Sequence, residues 1–282
     1  MSRTFCATLG LAFALLVAAP AVHADQWSKT FRVTGVPQLT LQVDNGQVNV
    51  SRGATNEVTV SVTTTGWKIP ADVRVIPSQQ GNDVEVQVRQ TQHWFRFSHG
   101  TTSVSVTLPA TANLDLSTGN GDVTLDSLRG SLRAATGNGT IHATDLGGHL
   151  VLHTGNGGIE ASGLDGSLRA RTGNGGVRVS GRFDALELDS GRGQVHVTAL
   201  SGSKMASDWS IGTGVGPVTV TLPADISAEL SASTGVGHIA ARFPVTVSGS
   251  LTGSSVRGRL GAGGPLLRIH TGVGDVNIER GE

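Results

Sequence analysis

The tetrapeptide Thr118-Gly119-Asn120-Gly121 returns at Thr136, Thr154 and Thr172, each time 18 residues on, and Ser190-Gly191-Arg192-Gly193 follows at the same interval. Looser copies begin at Thr213, Thr234 and Thr271, and an early one lies at Val43-Asp44-Asn45-Gly46. A fixed period this short marks an array of like units, each too small to bury a hydrophobic face by itself. The unit, more than the whole chain, is what has to be explained.

Within each unit the apolar residues alternate. Before the turn they are Leu132 and Ala134, Leu150 and Leu152, Leu168 and Ala170, Leu186 and Leu188. After it they are Ile141 and Ala143, Ile159 and Ala161, Val177 and Val179, Val195 and Val197. Period two belongs to half-buried strands. A further leucine marks a second corner at Leu128, Leu146, Leu164 and Leu200. No stretch after the first 24 residues carries a capped 3.6-residue period, so no helix is predicted there. The expected fold is all-β: a right-handed parallel β-solenoid, or β-helix, with 18-residue coils and a strand-rich N-terminal cap. Stacking the coils about 4.8 Å apart sets Leu114, Leu132, Leu150, Leu168 and Leu186 in one internal ladder. Val123, Ile141, Ile159, Val177 and Val195 form another.

The turn residues agree with this scheme. Gly119, Gly137, Gly155 and Gly173, with the glycine two places after each, are expected to supply positive φ. Asn120, Asn138, Asn156 and Asn174 are expected to stack into a structural amide ladder. Asn-Gly is equally the signal of a type I′ hairpin, which makes an antiparallel meander the competing fold. Identical turns at constant spacing favour the parallel stack, because only there does like meet like.

Composition removes several function classes. Lys and Arg number 21 against 21 Asp and Glu, which argues against a general nucleic-acid binder. A single Cys excludes a disulfide scaffold and a Cys-based zinc site. At 38% hydrophobic residues the chain is too apolar to be wholly disordered. The 40 glycines do not recur every third residue, so it is not collagen.

Residues 1–24 read as a secretory signal peptide: Arg3 is its positive charge, Ala7 to Pro20 its apolar stretch, and Val22-His23-Ala24 its small-residue cleavage signal before Asp25. Cys6 leaves with it. No later stretch reaches 18 apolar residues, so the mature chain is expected to be exported without a spanning helix, to the periplasm, the cell surface or the medium. Residues 25–282 are expected to form a single solenoid domain, with 25–107 as a capping, decorated half and 108–280 as regular coils. Ser105-Val106-Thr107-Leu108-Pro109-Ala110 reappears as Thr219-Val220-Thr221-Leu222-Pro223-Ala224, which suggests an internal duplication. Phe243 to Pro265 reads as a Gly/Ser-rich loop or irregular coil, and Leu267, Ile269, Val276 and Ile278 as the final coil.

The Leu-x-Leu-x-Thr-Gly-Asn-Gly-Asp-Val-x-Leu units, preceded by Val-x-Leu-Pro, resemble the bacterial putative-adhesin family of exported β-strand-repeat proteins, a domain family of unknown function. The resemblance runs from about Phe31 to Arg280. It implies an all-β, solenoid-like envelope protein without established chemistry, and no functional residue is carried over from it.

Reactive constellations are sparse. Gly155-Asn156-Gly157-Gly158 resembles part of a dinucleotide fingerprint, but a strand, not a helix, follows every copy. A calcium β-roll also has an 18-residue coil, yet Asp122 is replaced in the next copies by Thr140, Gly158 and Gly176. Asp126, Asp145 and Asp165 at the second corner read as turn caps. His142, Glu160 and Arg178 should share one outward ladder and read as a solvated charge row. Asp115 should face Arg133, and Glu187 should face Arg169, as cross-strand pairs. No catalytic residue, cofactor or metal ligand is therefore assigned. The one unusual run is His93-Trp94-Phe95-Arg96-Phe97. Trp94, Phe95, Arg96 and Phe97 are the candidate binding residues, able to stack on a sugar or to plug the open end of the solenoid, and Trp27 and Trp67 fit either role. The sequence thus predicts a non-catalytic exported envelope protein, structural or adhesive, whose partner is an envelope protein or a glycan, with self-association through the end coils as a further possibility. A glycan- or peptidoglycan-binding module is the alternative, and a polysaccharide-acting enzyme stands behind that.

Overall fold

The computed structural model describes residues 24–91, 100–242, 246–247 and 254–281. The expected signal peptide, apart from Ala24, and the aromatic run at 93–97 lie outside the described residues. All regular structure described is strand, and the strands are β1 (Ala24–Arg32), β2 (Gln38–Asn45), β3 (Gln47–Arg52), β4 (Glu57–Thr65), β5 (Val73–Gln80), β6 (Asp83–Gln90), β7 (Thr101–Leu108), β8 (Asn113–Asn120), β9 (Val123–Asp126), β10 (Arg129–Asn138), β11 (Ile141–Thr144), β12 (Gly147–Asn156), β13 (Ile159–Asn174), β14 (Val177–Arg192), β15 (Val195–Ala199), β16 (Trp209–Val215), β17 (Val218–Leu222), β18 (Ala228–Val236), β19 (Ile239–Arg242), β20 (Thr246–Val247), β21 (Ser255–Leu260), β22 (Leu266–Val273) and β23 (Val276–Arg280).

They build two parallel stacks around one apolar core. In the first, β6, β2, β8, β10, β12, β13, β14, β16, β22 and β18 lie side by side. In the second the order is β7, β3, β9, β11, β13, β14, β15, β17, β23 and β19. Strands β13 and β14 pass through the second corner unbroken and serve both stacks. This is the parallel solenoid that the repeat predicts. Leu114, Leu132, Leu150, Leu168 and Leu186 pair in register and are buried, as are Val123, Ile141, Ile159, Val177 and Val195.

Sequence order and spatial order part company at both ends. The coil of β2 and β3 sits between that of β6 and β7 and that of β8 and β9. Residues 25–107 thus supply two parallel coils as well as flanking strands. The coil of β22 and β23, last in the chain, is not the last in space: it lies between those of β16 and β17 and of β18 and β19. Antiparallel strands cover the outermost coils. These are β5 on β6, β4 and then β1 on β7, and β21 and then β20 on β18. The Gly/Ser-rich stretch expected to be a loop therefore contains β21, whose Val256 and Leu260 are buried. Alternation of Val256, Gly258 and Leu260 gave it a strand's period, which its flanking Gly and Ser obscured.

Two corrections concern the corners. Leu200 is 47% exposed. After Leu128, Leu146 and Leu164, the in-register position at this corner is Gly181, and the large buried side chain comes two residues later as Phe183, paired with Gly166 beside a register shift between β13 and β14. Phe183 then packs edge-on against the fully buried Trp209, with ring centroids 6.2 Å apart. The glycines of the turn also divide the work. Only the second has positive φ, as in Gly157 at 142°. The first is needed for close approach: a Cβ on Gly155 would lie 2.6 Å from the carbonyl oxygen of Gly137 in the neighbouring coil.

The threonine of each tetrapeptide has a task that the pattern did not reveal. Thr154 is fully buried, and its Oγ1 donates to the carbonyl of Gly139 at 2.8 Å. Thr172 does the same to Gly157, Ser190 to Gly175, Thr213 to Gly193, Thr271 to Gly216 and Thr234 to Gly274. A buried polar group left unpaired costs more than a made hydrogen bond contributes, so each hydroxyl ties one coil to the next at little freedom of placement. Thr154→Val should cost about 1–3 kcal/mol by leaving the Gly139 carbonyl short of this donor, whereas Thr154→Ser should cost far less. The thermal midpoints of the two variants decide this.

Adjacent glycines give a sharper contrast. Gly157→Ala places a Cβ 2.1 Å from the Gly139 oxygen at an unfavourable φ, while an alanine at Gly158 meets nothing closer than 3.5 Å. Gly157→Ala should destabilise by about 3 kcal/mol or more and Gly158→Ala should stay within about 0.5 kcal/mol of the parent in denaturant unfolding.

Candidate functional site

Outward positions recur on the same 18-residue grid as the core. On the outer face of the first stack, one row runs Asp115, Arg133, Val151, Arg169, Glu187. The next runs Ser117, Ala135, His153, Arg171, Asp189, and a third runs Asn113, Ser131, His149, Ser167, Ala185. Their overlap gathers Arg133, His149, His153, Arg169 and Arg171 around a depression of about 460 Å³. Arg169 and Arg171 both bond Glu187, the first at 3.1 Å. Arg133, His149 and His153 form no hydrogen bond or ion pair with a described residue.

The depression sits where the repeat is interrupted. From Ser190 to Thr213 the interval lengthens, and residues 200–208 are an insertion between β15 and β16. That insertion is held firmly. Leu200, Lys204 and Ala206 donate backbone N–H groups to the carbonyls of Gly181, Phe183 and Asp184 at 2.8, 3.0 and 2.9 Å. Met205 packs on the core, and Asp208 accepts from the N–H of Leu266 at 2.8 Å. Ser207 and Asp208 thereby line one side of the depression.

The depression continues across the face. A second, of about 190 Å³, shares Arg133 and reaches Asn113 and Gln38. A third, of about 340 Å³, shares Gln38 and reaches Ser78, Gln80, Asp83 and Glu85. Together they make a trough running across the strands from β5 to β14. From β6 to β14 it spans six strand steps, about 29 Å at 4.8 Å each. Its β14 end is rich in Arg and His, its middle carries amides, a hydroxyl and the Asp115 carboxylate in register beside Arg133, and its β5 end carries Asp83 and Glu85. Sequence reasoning treated Arg133, Arg169 and Glu187 as surface pairs and did not single out His149, His153 or Arg171. The signal was present in the common 18-residue spacing of their rows and in the lengthened interval after Ser190.

Elsewhere the predicted groups take these positions. Asn138 Nδ2 donates to Asn120 Oδ1 at 2.7 Å, Asn156 to Asn138 at 2.8 Å and Asn174 to Asn156 at 2.9 Å. Asn120 continues the ladder to Asn45, which donates to Gln90 at 2.9 Å. These side chains are occupied with one another. His142 lies 3.3 Å from Glu160, which pairs in register with Arg178. Asp145 and Asp165 are held by Arg129 and Arg182, each at 2.6 Å. Trp27 and Trp67 are partly buried against the core. Trp94, Phe95, Arg96 and Phe97 lie outside the described residues. Among the described residues no three His, Cys, Asp or Glu side chains gather as a metal site, and no helix is long and apolar enough to cross a membrane.

The class that emerges is an all-β parallel solenoid with a groove across one outer face. Residues 36–279 match the family model described as Toastrack DUF4097, and the chain belongs to that family. It is similar to the crystal structure of a putative cell adhesion protein from Clostridium sporogenes, at 15% identity over 92% of this chain and 100% of that one, with a TM-score of 0.34. It is also similar to a putative adhesin from Bacteroides fragilis, at 13% identity over 90% and 97%, with a TM-score of 0.41. A third likeness is to a putative lipid binding protein from Parabacteroides distasonis, at 10% identity over 90% and 96%, with a TM-score of 0.35. No curated protein matches the sequence.

At the second corner, the Arg129 guanidinium hydrogen-bonds the Asp145 carboxylate and holds its pKa below the ordinary value, with their charge attraction acting the same way. A lowered folded-state pKa means that this contribution to stability is present above the unfolded-state value and is lost as pH falls through the folded one. Carboxyl NMR titration should place the Asp145 midpoint below 3.8, and Arg129→Gln should move it back up toward that value.

Proposed function

We propose that the protein is a non-catalytic exported envelope protein whose solenoid presents a structural or adhesive surface. The observation that supports this reading is the pair of continuous outer sheet faces, on which polar side chains repeat at every strand step. Such a face offers many weak contacts in fixed register, and linked weak contacts raise overall affinity. In this reading Met1–Ala24 directs export and the mature chain starts at Asp25. A second reading, a glycan- or peptidoglycan-binding module, is favoured by the trough across the first stack, with the run Trp94 to Phe97 as a further contact.

Expression of the full chain with a C-terminal tag tests the first reading. The tagged protein is expected in the envelope or external fraction with Asp25 at its N-terminus, and capture from envelope extracts should retain a partner. Retention in the cytoplasm with an intact N-terminus would sink it. A glycan-array signal that Trp94→Ala abolishes would favour the second reading. Turnover lost on replacing one acidic residue would overturn both.

A further inference from the structure

The geometry points to the trough as a binding site for a saccharide chain that carries an oxyanion on alternate sugars, with the oxyanions seated at Arg133 and Arg169. This rests on the glycan-binding reading and gives it a place and a chemistry. Arg133 and Arg169 stand in one row with Val151 between them, two strand steps of about 4.8 Å apart. That separation is close to the length of a disaccharide repeat. Val151 and Ala185 form apolar patches among the charged groups, fit to underlie the C–H face of a pyranose ring. Away from the arginines, Ser131, Asn113 and Gln38 offer the hydroxyl and amide groups that pair with sugar hydroxyls.

Three features separate this trough from an ordinary stretch of solvated strand face. Arg133 has no partner of its own among the described residues, so its five donors are available. Arg169 and Arg171 are oriented by the shared carboxylate of Glu187. The 200–208 insertion, the one long interruption between coils of the central stack, is pinned by backbone hydrogen bonds so that it borders this place. Asp115, one strand step from Arg133, and Asp83 and Glu85 at the β5 end disfavour a chain charged on every sugar, and for that reason an alternating chain is specified.

The probes are a hyaluronan hexasaccharide, with a carboxylate on every second sugar, chitohexaose as its uncharged counterpart, and inorganic phosphate. Titration calorimetry on the mature chain at low ionic strength should show binding of the hyaluronan hexasaccharide and much weaker binding of chitohexaose. Arg133→Gln should weaken the former about tenfold, the usual scale for losing one charge-assisted hydrogen bond. Arg178→Gln, on the opposite stack, should leave it unchanged. All of these positions are exposed, and an unaltered melting profile verifies that the variants fold. The proposal is overturned if the hyaluronan hexasaccharide does not bind, if chitohexaose binds as well, if inorganic phosphate displaces the saccharide at equal concentration, or if Arg133→Gln has no effect. A chain that fails here yet still reaches the envelope and captures a partner loses only the trough, whereas cleavage of the bound hexasaccharide removes the non-catalytic reading and leaves the site.

Discussion

Close contact between backbones at the Thr-Gly-x-Gly corner is the constraint on which the structure depends. Each coil turns there with a glycine lying against the carbonyl of the coil below, and the neighbouring hydroxyl reaches the same backbone. A side chain on either glycine would hold the coils apart. With none, the strands on both sides of the corner come to hydrogen-bonding distance together. The corner therefore sets the register of two stacks at once, and the internal leucine and valine ladders follow from it. Hydrophobic burial supplies the larger share of stability, but it does not by itself distinguish one register from another along a ladder of similar residues.

Because the backbone and the inward side chains do this work, the outward side chains are released from it. Rows on the outer faces have become partly self-satisfying, as with Glu187 between two arginines or His142 beside Glu160. Such exposed pairs contribute little to stability. Their value lies in orientation, since an arginine held by a carboxylate presents its remaining donors in a fixed direction. The Asn ladder is the opposite case, with side chains spent on one another along the corner.

The ends of a solenoid expose unpaired strand edges, and this chain deals with them by returning on itself. Among the described residues, an antiparallel strand covers the outermost coil on three of the four edges, and the first and last coils in the chain are tucked one place inward. Exposed edges recruit other strands, so such covering limits unintended pairing. Within the stack, the 200–208 insertion falls at the second corner, where Gly130, Gly148 and Gly166 also lie against the backbone of the neighbouring coil. Ser127, Asp145 and Gly163 occupy equivalent left-handed positions there, so that position accepts three different residue types.

Much was legible from residues alone. Period-two alternation fixes which side chains of a strand face inward, and the 18-residue interval fixes which residues lie above one another, so the core ladders, the parallel direction and the Asp115–Arg133 and Arg169–Glu187 neighbours could be read directly. Every coil presents nearly the same edge, however, so pairing chemistry gives no preference for one coil over another as neighbour. The order of the end coils, the antiparallel covers and the inward place of Phe183 and Trp209 were decided only by closing the whole core. The trough likewise exists only in three dimensions, because Gln38, Arg133 and Asp208 are distant in the chain and meet through stacking. Local periodicity determines orientation; long-range packing determines adjacency, and surface sites are made of adjacency.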